Sequence, residues 1–340
     1  MIHYPKHLMR PLGRDSHPIG AEQYAPAITA AWLAAFPDSQ PEERDKEDWV
    51  ENACFLEAFT RLGVEHEIMG STAAVWISAS ADTLVSGEGE AAFFHSGIRG
   101  SDHTTGIDFS LPLQSTKALD AIGKHATSET FRKHAGRQME LVRPDGQAVS
   151  EAIRRIVPGS GEIFIKTIKK EMAQRYSIEA GKDPWEQICA QDEGIMWSTI
   201  QYEGNTTPYF SVQGVIEPTH EYRMFMVGDR PVTGAGCVEA FTPLDNWDVF
   251  DPKMEPVRNR TGVITARDVL DAYREFAEAF GKEFAAENGK ALAYSLDLCL
   301  DRNTGKVVPI ELNPPMNLGR YASDVDAWVL AIDELLGEIA

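Results

Sequence analysis

The chain has 340 residues, a formal net charge of −20 at pH 7, and 43% hydrophobic against 25% charged residues. That length exceeds one hydrophobic core and calls for two or three packed domains of ordinary globular composition. So acidic a composition argues against a nucleic-acid backbone as the main partner, yet leaves room for a small polyanion such as ATP in a local basic pocket. No run of about 18 apolar residues occurs, so no membrane-spanning helix is expected. The opening residues, MIHYPKHLMRPLGRDSHP, lack the apolar core of a secretory signal. Cys54, Cys189, Cys237 and Cys299 are scattered without a CxxC pair. Reduced thiols in a cytoplasmic protein fit them better than disulfides or zinc.

Residues 1–115 are the least patterned third. Ala21–Phe36 is alanine-rich and reads as a helix despite Pro26. Asp45–Leu62 is a stronger one, with Trp49, Ala53, Leu56, Phe59 and Leu62 at helical spacing and Gly63 as the stop. Strand-like runs follow at Ala73–Ser78 and Ala91–His95, so a small α/β domain is expected. His95, Arg99, Ser101 and His103, in HSGIRGSDH, are candidate substrate contacts, although a solvated loop is the commoner use of such residues. Residues 116–160 read as helical with a turn at Pro144-Asp145-Gly146.

Ile163, Phe164 and Ile165 then make a short strand that ends on Lys166, with Arg175–Glu179 as its hairpin partner. An ammonium at the end of a buried strand needs a partner there. The connecting Thr167–Gln174 carries Lys169 and Lys170 and no glycine. Tyr209–Val227 gives two β-like runs interrupted by Glu217–His220, and the second contains Glu221-Tyr222-Arg223. Gly234–Glu239, GAGCVE, has only a superficial likeness to a dinucleotide fingerprint, because the third glycine and the following helical pattern are missing. Arg258-Asn259-Arg260-Thr261-Gly262 is a basic turn whose guanidinium forks suit a carboxylate or a phosphate. Thr265 is the expected cap of a helix with Val269, Tyr273, Phe276, Phe280 and Phe284 as its apolar stripe, and Asn288-Gly289 ends it.

The most informative stretch is Tyr294–Pro315, YSLDLCLDRNTGKVVPIELNPP. Two apolar runs flank Asp301–Gly305, which predicts a β-hairpin. Tyr294, Leu296, Leu298 and Leu300 share one face of the first strand, leaving Ser295, Asp297 and Cys299 on the other; Glu311 and Asn313 share a face of the second. A five-residue loop would pair Leu300 with Lys306 and set Ser295 opposite Glu311. Asp297 and Glu311 would then be diagonal neighbours, roughly 7–8 Å apart. An even-numbered loop would separate them by face. Two carboxylates and an amide are poor core material but good ligands for hard Mg²⁺. After Pro315 come the loop Met316–Ser323, with Asn317, Gly319 and Arg320, and a last helix bearing Val325, Trp328, Val329, Ile332 and Leu336.

Asp297 in one strand and Glu311-Leu312-Asn313 closing the next resemble the metal-binding end of the ATP-grasp superfamily, and within it the RimK-like amino-acid and peptide ligases. The resemblance covers the C-terminal two-thirds of the chain. It implies an α+β fold in which two α+β lobes clasp ATP, with a smaller α/β domain before them: 1–115 as that domain, 116–212 as the first lobe and 213–340 as the second. Residue by residue, it implies Asp297, Glu311 and Asn313 as ligands of one or two Mg²⁺ ions, and Lys166 on the α/β-phosphates under a loop that carries Lys170. It further implies Gln213, Gly214, Val215 and Ile216 along the adenine, Glu221 near the nucleotide and Arg223 toward the transferred phosphate. The phosphate-covering loop departs from the family in lacking glycine. Lys124, Arg132 and Lys133 are unranked candidates for a second phosphate cation. Arg258 and Arg320, from loops flanking the hairpin, are left to grip a substrate carboxylate.

The implied reaction joins an amino-acid-like carboxylate to an amine, borne by a small molecule, a peptide or a protein, through an acyl phosphate, with release of ADP and phosphate. A thiol acceptor, or a catalytically silent ATP-binding regulator, are the alternatives. Cytoplasmic location is expected and the assembly is left open, a homodimer among the options.

Overall fold

The computed structural model describes residues 7–9, 55, 58–64, 66–68, 93–95, 113, 116–167, 173–195, 210–236, 249–250, 264–265, 267–315 and 323–339. The chain divides into two compact units, neither of them continuous in sequence. One comprises Gly123–Pro218 with Leu300–Pro309; the other comprises Met1–Ile122, Thr219–Cys299 and Ile310–Ala340.

The smaller unit is built on an antiparallel sheet of β4 (Met139–Val142), β5 (Gly161–Thr167), β6 (Ala173–Ile178) and β7 (Phe210–Gly214) in the order β4-β7-β5-β6. Two short helices precede it in the chain, α1 (Thr116–Gly123) and α2 (Glu129–His134), the second capped by Ser128, whose Oγ accepts from Phe131 N–H. Alternation sorts the side chains of the sheet. Ile163, Ile165, Tyr176, Ile178, Phe210 and Val212 form a core with Val149, Ala152 and Ile153 of helix α3 (Gly146–Ile156) and Ile188 of α4 (Pro184–Gln191). Asp145 caps α3 by accepting from Ala148 N–H, and Asp183 caps α4 by accepting from the N–H groups of Trp185 and Glu186, with Pro184 at the first turn. Gly146 is required where it stands, since a Cβ would lie 2.5 Å from the Trp185 ring. The opposite side of the sheet carries Phe164 beside Gln213 and Lys166 beside Ser211, by register. The β5–β6 hairpin matches the sequence expectation, with Ile163 opposite Tyr176. The helical reading of 116–160 fails at β4, where pairing with β7 makes MELV a strand too short to show its own period, and α4 had no counterpart in the sequence reading.

The larger unit holds a second four-stranded sheet. Its strands are β8 (Pro218–Val227), β9 (Arg230–Gly236), β12 (Ala293–Asp301) and β13 (Val307–Asn313), in the order β13-β12-β8-β9, and the last two in the chain run on into the smaller unit. Helix α5 (Arg267–Asn288) lies on one face. Its Phe276, Phe280 and Phe284 stack in series, Tyr273 meets Tyr222 of β8 with ring centroids 6.0 Å apart, and Phe284 meets Tyr294 of β12 at 5.4 Å. Of the expected stripe Tyr273, Phe280 and Phe284 are core and Val269 and Phe276 half-buried, and the strand residues that meet it send Arg223 and Asp297, at the alternate positions, to the other face. Helix and strands approach closely at Gly281, where a Cβ would lie 2.5 Å from the Asp229 carbonyl.

Gly289, at φ +95°, ends α5 as expected. Thr265 is not the cap: it lies in β11 (Ile264–Thr265), paired with β10 (Val249–Phe250). Helix α6 (Val325–Ile339) is capped by Asp324, which accepts from Ala327 N–H, and sets Trp328 edge-on to Phe225. Toward the N-terminus, β1 (His7–Met9) lies parallel between β2 (His66–Ile68) and β3 (Phe93–His95). Helical residues 58–62 stop at Gly63, φ +68°, with Val64 N–H donating to the Phe59 carbonyl. The expected elements at Ala21–Phe36 and Ala73–Ser78 lie outside the described residues. No helix among the described residues is long and apolar enough to cross a membrane.

Candidate functional site

Three adjacent strands of the larger unit converge on Asp297. Arg223 of β8 donates Nε to Asp297 Oδ1 at 2.9 Å and Nη2 to Oδ2 at 2.8 Å, a two-pronged pair with side chains 11% and 15% exposed. Asn313 of β13 donates Nδ2 to Oδ2 at 2.9 Å, and Ser295 donates Oγ to Oδ1 at 3.2 Å. Asn313 also reaches Ser295 Oγ, at 3.3 Å, and both residues are fully buried. Glu311, half-buried, stands two positions before Asn313 on the same strand. Glu221 stands two before Arg223 on β8 and is half-buried too. Charge-assisted bonds of this length are the strong kind, and the fork of Arg223 fixes the carboxylate plane.

The hairpin that delivers these groups turns differently from the expectation. Asp301 pairs with Lys306, its N–H donating to the Lys306 carbonyl at 2.9 Å, while Gly305 N–H donates back to the Asp301 carbonyl at 2.7 Å. Four residues close the loop instead of five, and Gly305 takes φ +67°, the left-handed conformation glycine adopts without cost. Strict alternation from that pair would put Asn313 and Asp297 on opposite faces. Their hydrogen bond therefore requires one break in the alternation, of the kind an extra residue in a β-bulge makes. Pro309 is the natural place: it has no N–H for a ladder, and its carbonyl accepts from Arg137 Nη1 at 3.0 Å.

In the smaller unit the chain leaves β7 at Gly214 and enters β8 at Pro218, and the unit boundary falls between Pro218 and Thr219. The backbone bonds of this crossover can be accounted for group by group. Gly214 N–H donates to the Gln138 carbonyl; Glu217 N–H donates to Asp301 Oδ1 at 3.1 Å, and the Glu217 carbonyl accepts from Arg302 N–H at 2.8 Å. The Ile216 carbonyl accepts from Arg175, whose guanidinium also pairs with Glu217 at 2.8 Å. Among the described residues no partner meets the Val215 N–H and carbonyl or the Ile216 N–H. Gln213 turns inward: its Oε1 accepts from Arg137 Nε at 2.9 Å and its Nε2 donates to Ser211 Oγ at 2.8 Å.

Asp301 is held at the hairpin tip. Burial alone would raise its carboxyl, but the Thr304 hydroxyl and the N–H groups of Glu217, Asn303 and Thr304 outweigh burial and hold it below the usual carboxylate range.

The sequence-derived residues thus separate by unit. Glu221, Arg223, Asp297, Glu311 and Asn313 belong to the larger one, with Arg223, Asp297 and Asn313 in direct contact. Lys166, half-buried near the end of β5, and Gln213–Ile216 belong to the smaller one. Lys124 is half-buried there, whereas Arg132 and Lys133 are exposed. Lys169, Lys170, Arg99, Ser101, His103, Arg258, Asn317, Gly319 and Arg320 lie outside the described residues, and of His95 only the strand position is described. Arg137 was missed. It gives Nη1 to the carbonyls of Ala135 and Pro309 as well as Nε to Gln213, and partners that are mostly backbone leave no mark in a sequence.

The sequence matches no protein-family model and no curated protein. The fold does have likenesses among solved structures. A D-cycloserine synthetase, DcsG, aligns over 97% of this chain and 99% of its own, with a TM-score of 0.52 and 16% identity. The D-alanine–D-alanine ligase of Bacillus anthracis aligns over 99% and 100%, with a TM-score of 0.50 and 9% identity. A RimK-domain ATP-grasp protein of Sphaerobacter thermophilus aligns over 97% and 100%, at 0.46 and 10%. The two four-stranded sheets with their helices, and the end-to-end alignment on the first two of these proteins, identify one architecture: the chain has the ATP-grasp fold.

Proposed function

We propose that this chain is an ATP-dependent carboxylate–amine ligase. A substrate carboxylate oxygen attacks the γ-phosphorus of ATP, the bond from that phosphorus to the β,γ-bridging oxygen breaks, and ADP leaves. An amine then attacks the acyl carbon, inorganic phosphate departs with the bonding pair, and the amine loses a proton. The observation that carries the reading is the Arg223–Asp297–Asn313 constellation on one sheet face of an ATP-grasp fold. Buried strands rarely hold a carboxylate, an amide and a guanidinium together without a use for them.

The donor chemistry fits a hard divalent cation. The carboxylates of Asp297 and Glu311 and the amide oxygen of Asn313 are the oxygen ligands that Mg²⁺ takes. Among the described residues no group of three His, Cys, Asp or Glu gathers, so the amide would have to complete the set. When bound, one or two such ions supply neutralisation of phosphate charge. The other roles belong to side chains and backbone. Lys166 offsets charge on the α/β-phosphates, and Arg223 faces the phosphoryl group that moves, where positioning and charge neutralisation carry most of catalysis. Glu221 stands by the nucleotide. The unmatched Val215 N–H and carbonyl and the Ile216 N–H are suited to an adenine edge, while Gln213, tied to Arg137 and Ser211, shapes the strand behind them. The division 1–115, 116–212 and 213–340 is retained as a functional one. Arg258 and Arg320 are assigned to a carboxylate on the substrate, and Lys170 to the phosphate cover.

Phosphate release from ATP in the presence of mixed amino acids tests turnover. Trapping with hydroxylamine tests the intermediate, because an acyl phosphate yields a hydroxamate. Turnover without hydroxamate would replace the acyl phosphate with another route, and nucleotide binding without turnover would leave a regulator. Glu311→Gln is expected to abolish turnover with the melting temperature of the nucleotide-free protein nearly unchanged.

A further inference from the structure

Asp297 already has a cation. A carboxylate offers about four lone-pair positions, and here all are taken: Oδ1 by Arg223 Nε and Ser295 Oγ, Oδ2 by Arg223 Nη2 and Asn313 Nδ2. Ser295 and Asn313 are fully buried on neighbouring strands and bonded to each other, so neither can withdraw without opening the sheet. Arg223 is the only one of the three on a long side chain, and the only one carrying charge.

We propose that Arg223 is the resident counter-cation of Asp297, and that a divalent ion and this guanidinium compete for the one carboxylate. The ion is then taken up with nucleotide phosphate and not ahead of it. This rests on the reading of Asp297 as a metal ligand. The reasons are electrostatic. A divalent ion and a guanidinium drawn to the same largely buried carboxylate repel each other. An ion arriving alone must break a desolvated, two-pronged pair, which is unfavourable. A phosphate offers Arg223 an equivalent bidentate acceptor, so nucleotide removes that penalty and turns the freed guanidinium toward the group to be transferred. Arg223 would therefore be a positioning residue for the metal and a phosphate ligand in turn, and it would guard an acidic protein against filling its site with a free ion.

Manganese(II) is the probe, followed by electron paramagnetic resonance of the free ion, with and without a β,γ-imido ATP analogue. Asp297→Asn reports the background from other surface acids. The wild-type chain is expected to hold Mn²⁺ about tenfold more tightly with the analogue than without it. Arg223→Gln should tighten nucleotide-free binding by about tenfold and shrink the analogue's effect to less than about threefold. A merely structural arginine would weaken binding in both conditions. Nucleotide-free affinity that is unchanged or weaker in Arg223→Gln, with the wild-type effect intact, overturns the competition and leaves the metal reading standing. Wild-type binding no stronger than that of Asp297→Asn, with or without analogue, sinks the metal reading and the competition with it. Should Arg223→Gln lack a cooperative melt, Arg223→Lys takes its place, since a single ammonium cannot hold both oxygens: tighter nucleotide-free Mn²⁺ supports the competition and unchanged affinity overturns it.

Discussion

The two polar regions of this molecule satisfy their groups in opposite ways. Around Asp297 every acceptor is matched, and the matching groups are buried or nearly so. At the crossover, Val215 and Ile216 stand half-exposed and keep backbone groups that no described residue meets. A charge withdrawn from water must be neutralised, whereas an amide at a surface is satisfied by water at little cost. A buried carboxylate is therefore matched by neighbouring side chains, and a half-exposed amide can be left to water.

The largest test of that contrast removes the carboxylate. Asp297→Ala removes the two-pronged carboxylate from the buried Arg223 guanidinium and should destabilise the protein by about 3 kcal/mol, read as a fall in melting temperature. Pairing it with Arg223→Met should recover most of the loss, because an apolar pair needs no neutralisation; no recovery would mean the two residues act independently. On the other side of the contrast, Arg137→Met deprives the Ala135 and Pro309 carbonyls and Gln213 of a donor. About 2 kcal/mol is expected from such unsatisfied groups, together with weaker adenosine binding. Adenosine binding at the wild-type level would detach Gln213 and its strand from the adenine.

Smaller effects sharpen the picture. Lys166→Ala should weaken ATP about tenfold while changing adenosine less than about twofold, since the lost contact is with phosphate; equal weakening would mark Lys166 as structural. The smallest is a pH effect. The carboxyl of Asp301 is depressed in the folded state, so its contribution is present above the unfolded carboxylate pKa of about 4 and disappears as pH falls through the lower folded value. Urea melts between about pH 5 and pH 2 should show that loss in the wild type and a flatter profile in Asp301→Asn. Identical slopes would assign the acid sensitivity to other carboxylates, the cap Asp183 among them.

How much of this was legible in the sequence follows from which forces leave a period. The α5 stripe, the β5–β6 hairpin and the Tyr294–Asn313 hairpin were readable because burial on one face imposes alternation on the residues themselves. The company that Asp297 and Asn313 keep was readable from the same alternation, though the loop length expected for it was wrong. Four residues close the turn, yet Asn313 still bonds Asp297, so the alternation must break once between the turn and Asn313. β4 and α4 were hidden because each is short and owes its form to neighbours. Arg137 was hidden because its bonds to Ala135 and Pro309 end on backbone carbonyls, which every residue has. The pairing of Arg223 with Asp297 lay in between: the E-x-R element and the acidic strand were both visible, but only adjacent strands could show that one residue silences the other.

The interleaving of the two units has a consequence for synthesis on the ribosome. The smaller unit needs Leu300–Pro309, more than 80 residues beyond Pro218, before Glu217 can bond Asp301 and Arg302 and Arg137 can bond Pro309. A nascent chain ending near residue 218 would carry the Lys166 sheet with those groups unmet, and a fragment cut there should be a poor autonomous folder. Joining 300–309 to 123–218 through a short linker should mend it. The smaller unit is thus completed only by residues 300–309, so a product cut near residue 218 should lack a stable sheet around Lys166.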